Sequence, residues 1–174
     1  LVAAGRDATT WDEVGHLVAG ASHWSFLTFE LYNVNPPLVR MVATVPVVLQ
    51  NPKTDWTRFS NEAGMRSEFN VGEDLIAANG ERSFWLFTTA RWACIPFTII
   101  GALSCYHWAR DLYGHIGALL SLTLWCICPN IIAHAEMLAP DCAAAALTIA
   151  GCYQFWKWEH ERTLRQAGVT GLVL

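Results

Sequence analysis

The chain has 174 residues, of which 53% are hydrophobic and 15% are charged, and its formal net charge at pH 7 is −4. This length suggests a single domain. The mild negative charge argues against nucleic acid as a partner, because neutralising phosphates requires a basic face.

Charged residues are scarce between residues 92 and 158, a stretch of 67 residues with only five formal charges. Soluble domains of ordinary composition carry about one charged residue in four. We therefore expect this part of the chain to lie in lipid, and the protein to act at a membrane surface. The five charges are carried by Arg110, Asp111, Glu136, Asp141 and Lys157.

The first part of the chain is predicted to contain several short helices. Residues 11–32 have apolar residues at helical spacings of three and four, and Asn35-Pro36-Pro37 ends that pattern. Residues 38–49 are apolar but too short to span a bilayer, which favours a helix lying in the membrane interface. Further short helices are predicted around residues 61–69 and 73–79.

The second part of the chain, residues 83–174, is predicted to form transmembrane helices at about 83–109, 112–133 and 141–158. A spanning helix needs about 20 predominantly apolar residues. A cytoplasmic tail would then lead to a further span. The predicted fold is an all-α integral membrane protein, a multi-span helical bundle in which residues 1–82 form an extracytoplasmic loop with amphipathic and interfacial helices.

Three spans determine which segments share a side of the membrane. The 109–115 hinge and the 157–166 tail share one side, and residues 1–91 share the other side with the 134–141 hinge. The positive-inside rule makes the first side cytoplasmic, so we expect a multi-pass protein of the cell (inner) membrane. The basic residues that carry this argument are Arg110, Lys157, Arg162 and Arg165.

Two acidic residues, Asp12 and Glu13, open the first amphipathic helix. Thr10-x-x-Glu13 is typical of a capping box, in which the acidic side chain satisfies the start of the helix. His16 lies one turn after Asp12 on the same helix face. A cap and a catalytic acid are compatible here, because Glu13 can cap the helix while Asp12 faces outward.

A second set of candidate residues lies in the 134–141 hinge. Asp141 follows Pro140 and is either the N-cap of the third span or a functional acid at the mouth of a membrane helix. Together with Asp12, His134 and Asp141 could form a metal site of oxygen and imidazole ligands. No cofactor is certain, and a divalent cation is the candidate.

Arg91 lies at the extracytoplasmic end of the first predicted span. Its side chain could extend along the helix to the lipid headgroups. Alternatively, its guanidinium could bind a lipid phosphate in bidentate fashion.

The order of these features resembles a known family. The Asp-Glu pair is followed by Asn35-Pro-Pro-Leu38, Ala90-Arg91, the Trp108–Gly114 hinge, Pro129–Ala135 and Ala139-Pro-Asp141. This order resembles the N-terminal part of the polyprenyl-phosphate-sugar-dependent membrane glycosyltransferases of GT-C fold, such as the protein O-mannosyltransferases and the lipid A aminoarabinose transferases. The resemblance covers residues 9–174 and lacks the family's first and later spans. We therefore expect an N-terminal fragment that is inactive alone.

The resemblance implies an activity. Members of this family transfer a sugar from a polyprenyl phosphate to a hydroxyl of a protein or lipid acceptor, with inversion, on the extracytoplasmic face. Asp12 matches the general base of the family, which accepts the proton of the acceptor hydroxyl, and Asp12 and Glu13 are the predicted catalytic residues. Asp141 and Arg91 match residues near the same site, so both are predicted to bind substrate.

The resemblance leaves the ligand of the donor phosphate open. Some relatives carry a charged residue or a histidine where this chain has the neutral Asn35. Arg40, Arg91 or residues outside this chain could supply the positive charge. His16 and Asn35 are further candidates for substrate binding.

Two other classes of protein fit parts of the pattern. One is a non-catalytic multi-pass membrane protein, such as a transporter or an assembly subunit, in which charged residues are expected near the bilayer midplane. The other is a metal-dependent membrane hydrolase that uses His16, His134 and Asp141. The ionisable groups cluster at the predicted extracytoplasmic mouths of the spans, which favours chemistry on a lipid-borne substrate.

Overall fold

The computed structural model describes residues 9–60, 62 and 64–173, and this part of the chain contains seven α-helices and no strand. The predicted all-α class is confirmed. The chain divides into two compact units: unit 1 comprises residues 1–94 and 136–140, and unit 2 comprises residues 95–135 and 141–174. The helices are α1 (Trp11–Phe26), α2 (Leu38–Leu49), α3 (Ser67–Asn79), α4 (Arg82–Ile127), α5 (Pro129–His134), α6 (Pro140–Glu161) and α7 (Leu164–Val173).

The central helix of unit 1 is α1, in which every residue from Glu13 to His23 is buried. α2 and α3 both pack against it, and each contact includes a glycine. A Cβ atom at Gly20 would lie 2.6 Å from the backbone oxygen of Arg40 in α2. A Cβ atom at Gly72 of α3 would lie 2.5 Å from Cγ1 of Val14 in α1. The missing side chains therefore allow α2 and α3 to approach α1 closely.

The structure corrects the predicted end of the first helix. α1 ends at Phe26 instead of residue 32, because Leu27 adopts a left-handed conformation with φ of 56°. The Leu27 N–H donates to the carbonyl of His23 at 3.1 Å, which closes the helix end. The prediction extended too far because Leu27 and Leu31 match the helical spacing, although Leu27 is 79% exposed.

The predicted bounds are confirmed for α2 and corrected for α3. α2 has the predicted bounds, residues 38–49. In place of two short helices at 61–69 and 73–79, a single helix, α3, runs from Ser67 to Asn79. Residue 61, where the first of them was predicted to begin, lies outside the described residues.

Within unit 2, α4 folds back on itself at Gly114, which has φ of 76° and ψ of −171°. We call residues 82–113 the first arm and residues 115–127 the second arm. A Cβ atom at Gly101 would lie 2.3 Å from the Trp125 ring, and the side chains of Cys105 and Ser121 interact. The first and second arms are therefore antiparallel. The turn predicted between the first two spans lies at Gly114.

α6 packs along the first arm in parallel orientation. The side chains of Thr98 and Cys142 are 3.4 Å apart, and further along the Tyr153 hydroxyl donates to Asp111 at 2.7 Å. α6 begins at Pro140, so Asp141 lies inside the first helical turn. The predicted N-cap role of Asp141 is therefore wrong, although a carboxylate in this turn still interacts favourably with the helix dipole.

One helix of the described part of the chain, α4, is both long enough and apolar enough to cross a membrane. Its most apolar 18-residue window has a mean hydropathy of 1.4. α6 has 22 residues but is not sufficiently apolar by the same criterion. The described residues thus contain one candidate membrane span, and the multi-span bundle stays a prediction.

We expect Gly20→Ala to destabilise the protein by about 1–3 kcal/mol, because overpacking forces neighbouring groups to move. The added methyl would meet the backbone of α2 and the side chain of Thr44, 2.5 Å away. Gly168→Ala is the matched control, since no atom lies within 4 Å of its Cβ position. Thermal unfolding in detergent should show a lower Tm for Gly20→Ala alone, and equal Tm values for the two variants would contradict the close crossing.

Candidate functional site

The carboxylate of Glu13 connects three segments of unit 1. Arg91 of α4 donates from Nε to Oε1 and from Nη2 to Oε2, each at 2.7 Å. The Leu138 N–H donates to Oε1 at 3.0 Å. The Thr10 N–H and hydroxyl donate to Oε2 at 2.9 and 3.1 Å. Glu13 is fully buried, so these five hydrogen bonds replace the water that its charge has lost.

The pKa of Glu13 reflects two opposing effects. Burial raises the pKa of this carboxyl, but the hydrogen bonds from Arg91, Thr10 and Leu138 lower it more, and the net result lies below the ordinary value of 4.5. Hydrogen bonds to the charged form favour ionisation. Glu13 is therefore a carboxylate at neutral pH, paired with a cation and held in one orientation.

The first acidic residue has the opposite environment. Asp12 is exposed, while the capping box predicted for Thr10 and Glu13 is present. The two adjacent acids thus have different environments, as the sequence predicted: Glu13 points inward and caps the helix, and Asp12 is accessible from outside. Because Glu13 also binds Arg91 and Leu138, its role is larger than that of a cap.

The position of Arg91 corrects the first of the two sequence-based alternatives, an extended side chain at the lipid headgroups. Its side chain is 4% exposed, so it does not extend to a headgroup region. Its bidentate donors face Glu13 instead of a lipid phosphate. Arg91 therefore fixes the start of α1 against α4, and its role in binding substrate stays a prediction.

A narrow crevice lies next to this cluster in unit 1. It is too narrow to admit a water molecule. His16 and Arg40 line it from α1 and α2, so two predicted substrate-binding residues do come together. The remaining lining residues are Pro36, Val39, Leu138, Ala139 and Pro140.

Arg40 is a buried cation that is held mainly by backbone carbonyls. It is 2% exposed, and Nη1 donates to the Tyr32 carbonyl at 2.6 Å while Nη2 donates to the Asn35 carbonyl. Its guanidinium also lies 5.0 Å from the centre of the Tyr32 ring. The Nε atom is buried without a hydrogen-bond partner. Burial lowers the pKa of the Arg40 guanidinium below its ordinary value, which still leaves it charged.

The turn before α2 depends on these contacts. Tyr32 has φ of 56°, a conformation that costs a bulky residue free energy and persists only where neighbours enforce it. Arg40 binds its carbonyl, and the His16 ring packs on its ring with centroids 4.6 Å apart. Asn35 accepts a hydrogen bond from Arg40 through its backbone carbonyl. This residue therefore contributes to the turn through its main chain and not through its neutral side chain.

The two hinge residues belong to unit 2. His134 is partly exposed, and its Nδ1 lies 2.9 Å from the Asn130 carbonyl of its own helix. Asp141 is exposed at the start of α6. In the described ranges, no group of three or more His, Cys, Asp or Glu side chains could hold a metal ion, which gives no support to a site formed by Asp12, His134 and Asp141. The predicted convergence of Asp12 and Asp141 stays a prediction.

Comparison of the chain with protein-family models, with curated proteins and with solved structures finds no match. The chemistry of the site is therefore inferred from its own residues.

Sequence reasoning missed two contributors to this site. Leu138 acts through its backbone N–H, and Tyr32 acts through its ring and a carbonyl. Neither role has a signal in the side-chain pattern. The Pro-rich flanks at Asn35–Pro37 and Pro140 were the available indication that rigid turns approach α1.

We expect Glu13→Gln to destabilise the protein by about 3–5 kcal/mol, because it breaks the buried ion pair between Glu13 and Arg91. Asp12→Asn changes the neighbouring exposed carboxylate in the same way and should stay within about 0.5 kcal/mol of the parent. Chemical denaturation of both variants would measure this difference. Similar losses for the two variants would show that Glu13 is not the residue that holds these segments together.

Stability should also fall with acid in two separable steps. The pKa of Glu13 is lowered from 4.5, so its contribution is complete above pH 4.5 and is lost as the pH falls through the lower value of the folded chain. Burial and Arg40 lower the pKa of His23 from 6.5, outweighing a hydrogen bond to Thr28. Its contribution is therefore lost as the pH falls below 6.5. Denaturation should be measured between pH 3 and pH 8. Glu13→Gln should lose the fall in stability below pH 4.5 and keep the fall below pH 6.5.

Proposed function

We propose that this chain is the N-terminal part of a multi-pass membrane glycosyltransferase, in which Asp12 is the general base. The observation that supports the proposal is that the two adjacent acids differ in exposure: Glu13 is buried and Asp12 is exposed. Glu13 is held by five hydrogen bonds, so the start of α1 is rigid and Asp12 projects from a fixed position. A catalytic base must be accessible to its substrate and held by rigid surroundings, and Asp12 meets both conditions.

The proposed reaction transfers a sugar from a polyprenyl phosphate to a hydroxyl of a protein or lipid acceptor. The acceptor oxygen attacks the anomeric carbon while the bond from that carbon to the phosphate oxygen breaks. The carboxylate of Asp12 takes the proton of the attacking hydroxyl, and the phosphate leaves with the bonding electrons. Attack opposite the leaving phosphate inverts the anomeric carbon.

Arg40 is the best-supported source of positive charge for the donor phosphate. The guanidinium of Arg91 is engaged by Glu13, whereas Arg40, which lines the crevice, donates to neutral carbonyls and has a buried Nε without a hydrogen-bond partner. A cation among neutral acceptors attracts an anion more strongly than one already paired with a carboxylate. The crevice is narrow, so a phosphate would have to widen it between α1 and the turn at Pro36.

Membrane association is supported by the apolar surface of unit 2. The second arm of α4 exposes five large aliphatic side chains at spacings of one, three or four residues, which is one face of a helix. Soluble proteins seldom expose apolar patches of this extent, so we propose that lipid or further spans cover this face in a cell (inner) membrane. The exposed residues are Ile116, Leu119, Leu120, Leu124 and Ile127.

In the complete protein that contains this chain, Asp12→Asn should lower transfer by about 10²- to 10⁴-fold, the usual loss when a general base is removed. Asparagine keeps the shape of the side chain but cannot accept the proton. Turnover of a polyprenyl-phosphate sugar would be measured beside thermal stability in detergent. Glu73→Gln is the matched control, because Glu73 is an exposed acid on the outer face of α3.

Three results would contradict the proposal. Turnover of Asp12→Asn near the parent level would exclude Asp12 as the base. A parallel loss of stability would show that its effect is structural. No turnover by the parent with any polyprenyl-phosphate sugar would instead favour a non-catalytic multi-pass protein.

A further inference from the structure

α2 has two faces of different character. The residues of its inner face are buried against the rest of unit 1: Val39, Arg40, Ala43, Thr44 and Val47. The outer face is formed by Leu38, Val42, Val45 and Leu49, which are 54%, 38%, 41% and 82% exposed. Their spacing of four, three and four residues is that of a single helical stripe. An entirely apolar stripe is therefore presented to the outside.

The outer face of α2 also lacks charge. The sole charged residue of this helix, Arg40, points inward and is held by backbone carbonyls. α3 in the same unit contrasts with it, because Asn70 and Glu73 are exposed there and Asp74 binds Arg58. Unit 1 thus has one helix suited to water and one helix whose outer face is suited to an apolar phase.

Trp24 extends the apolar stripe. Its indole N–H donates to the backbone carbonyl of Met41 in α2 at 3.0 Å, while the side chain remains 41% exposed. The one polar atom of the ring is therefore satisfied by the protein, and the exposed part is hydrocarbon. Tryptophan at the edge of an apolar surface is typical of the interfacial region of a bilayer.

The end of α2 is connected to α4, the one helix among the described residues that is long and apolar enough to cross a membrane. The side-chain amide of Gln50 donates to the Thr89 hydroxyl at 2.8 Å, and Arg82 donates to the Gln50 carbonyl. Both partners lie in the first turns of α4. This connection favours a lipid surface as the occupant of the stripe over a second copy of the chain, because a span that begins here brings α2 to the bilayer.

We propose that the outer face of α2, together with Trp24, is a lipid-docking surface on which unit 1 rests at the membrane interface. Amphipathic helices with an aromatic residue at their edge lie in the interface plane with the apolar face among the acyl chains. The inference rests on the membrane association proposed above, and it is independent of the transfer chemistry. Docking would hold the start of α1, and with it Asp12, at a fixed height above the acyl chains.

Photo-crosslinking of the 174-residue chain in phospholipid nanodiscs tests this surface. Benzoylphenylalanine would replace Val45 on the outer face of α2, with Ala77, exposed on α3, as the matched position on the polar side. Ile99, exposed on α4, would carry the same probe to test membrane insertion itself. Mass spectrometry would identify the adducts, and unchanged thermal unfolding would show that each variant is folded.

We expect lipid adducts at Val45 and Ile99 in at least tenfold excess over Ala77. Adducts at Ile99 without adducts at Val45 would overturn the docking surface while leaving membrane association intact. A crosslinked dimer at Val45 would identify a second copy of the chain as the occupant and also overturn the proposal. Absence of lipid adducts at Ile99 and Val45 together would reject both the docking surface and the membrane association on which it rests.

Discussion

A carboxylate withdrawn from water loses a large hydration free energy unless fixed donors take the place of the solvent. Glu13 meets this requirement with donors from its own capping box, at Thr10, and from two distant parts of the chain, at Arg91 and Leu138. The arrangement stabilises the fold only while it is complete, since losing one partner leaves the other charge buried. The orientation of α1, the course of residues 136–140 and the presentation of Asp12 all depend on it.

The same principle governs the other buried polar groups around α1. Arg40 and His23 find backbone carbonyls, those of Tyr32, Asn35 and Thr28. A helix that is buried on all sides is usually apolar all round, but α1 carries several ionisable residues into the interior. Irregular turns supply the acceptors, which explains why the segments between helices are fixed in place around this helix.

The features that sequence could predict are those with local causes. The capping box needs only Thr10 and Glu13, three residues apart, and the bounds of α2 follow from the Pro-Pro step before it and the change in polarity at Gln50. Leu27 was misjudged because its spacing fits a helix while its backbone conformation ends one. The pairing of Glu13 with Arg91, and the donation from Leu138, arise only when the chain is folded, and neither leaves a periodic signal.

The wide separation of the partners of Glu13 has a consequence for how the protein is made. Arg91 follows Glu13 by 78 residues and Leu138 follows it by 125. A growing chain emerges from its N-terminus, so α1 is synthesised long before the groups that neutralise and solvate its inner carboxylate. Nascent chains ending before residue 138 lack at least one of these donors. Unit 1 thus acquires its final packing late in synthesis, and truncation after α3 removes two of the three segments that hold its central helix.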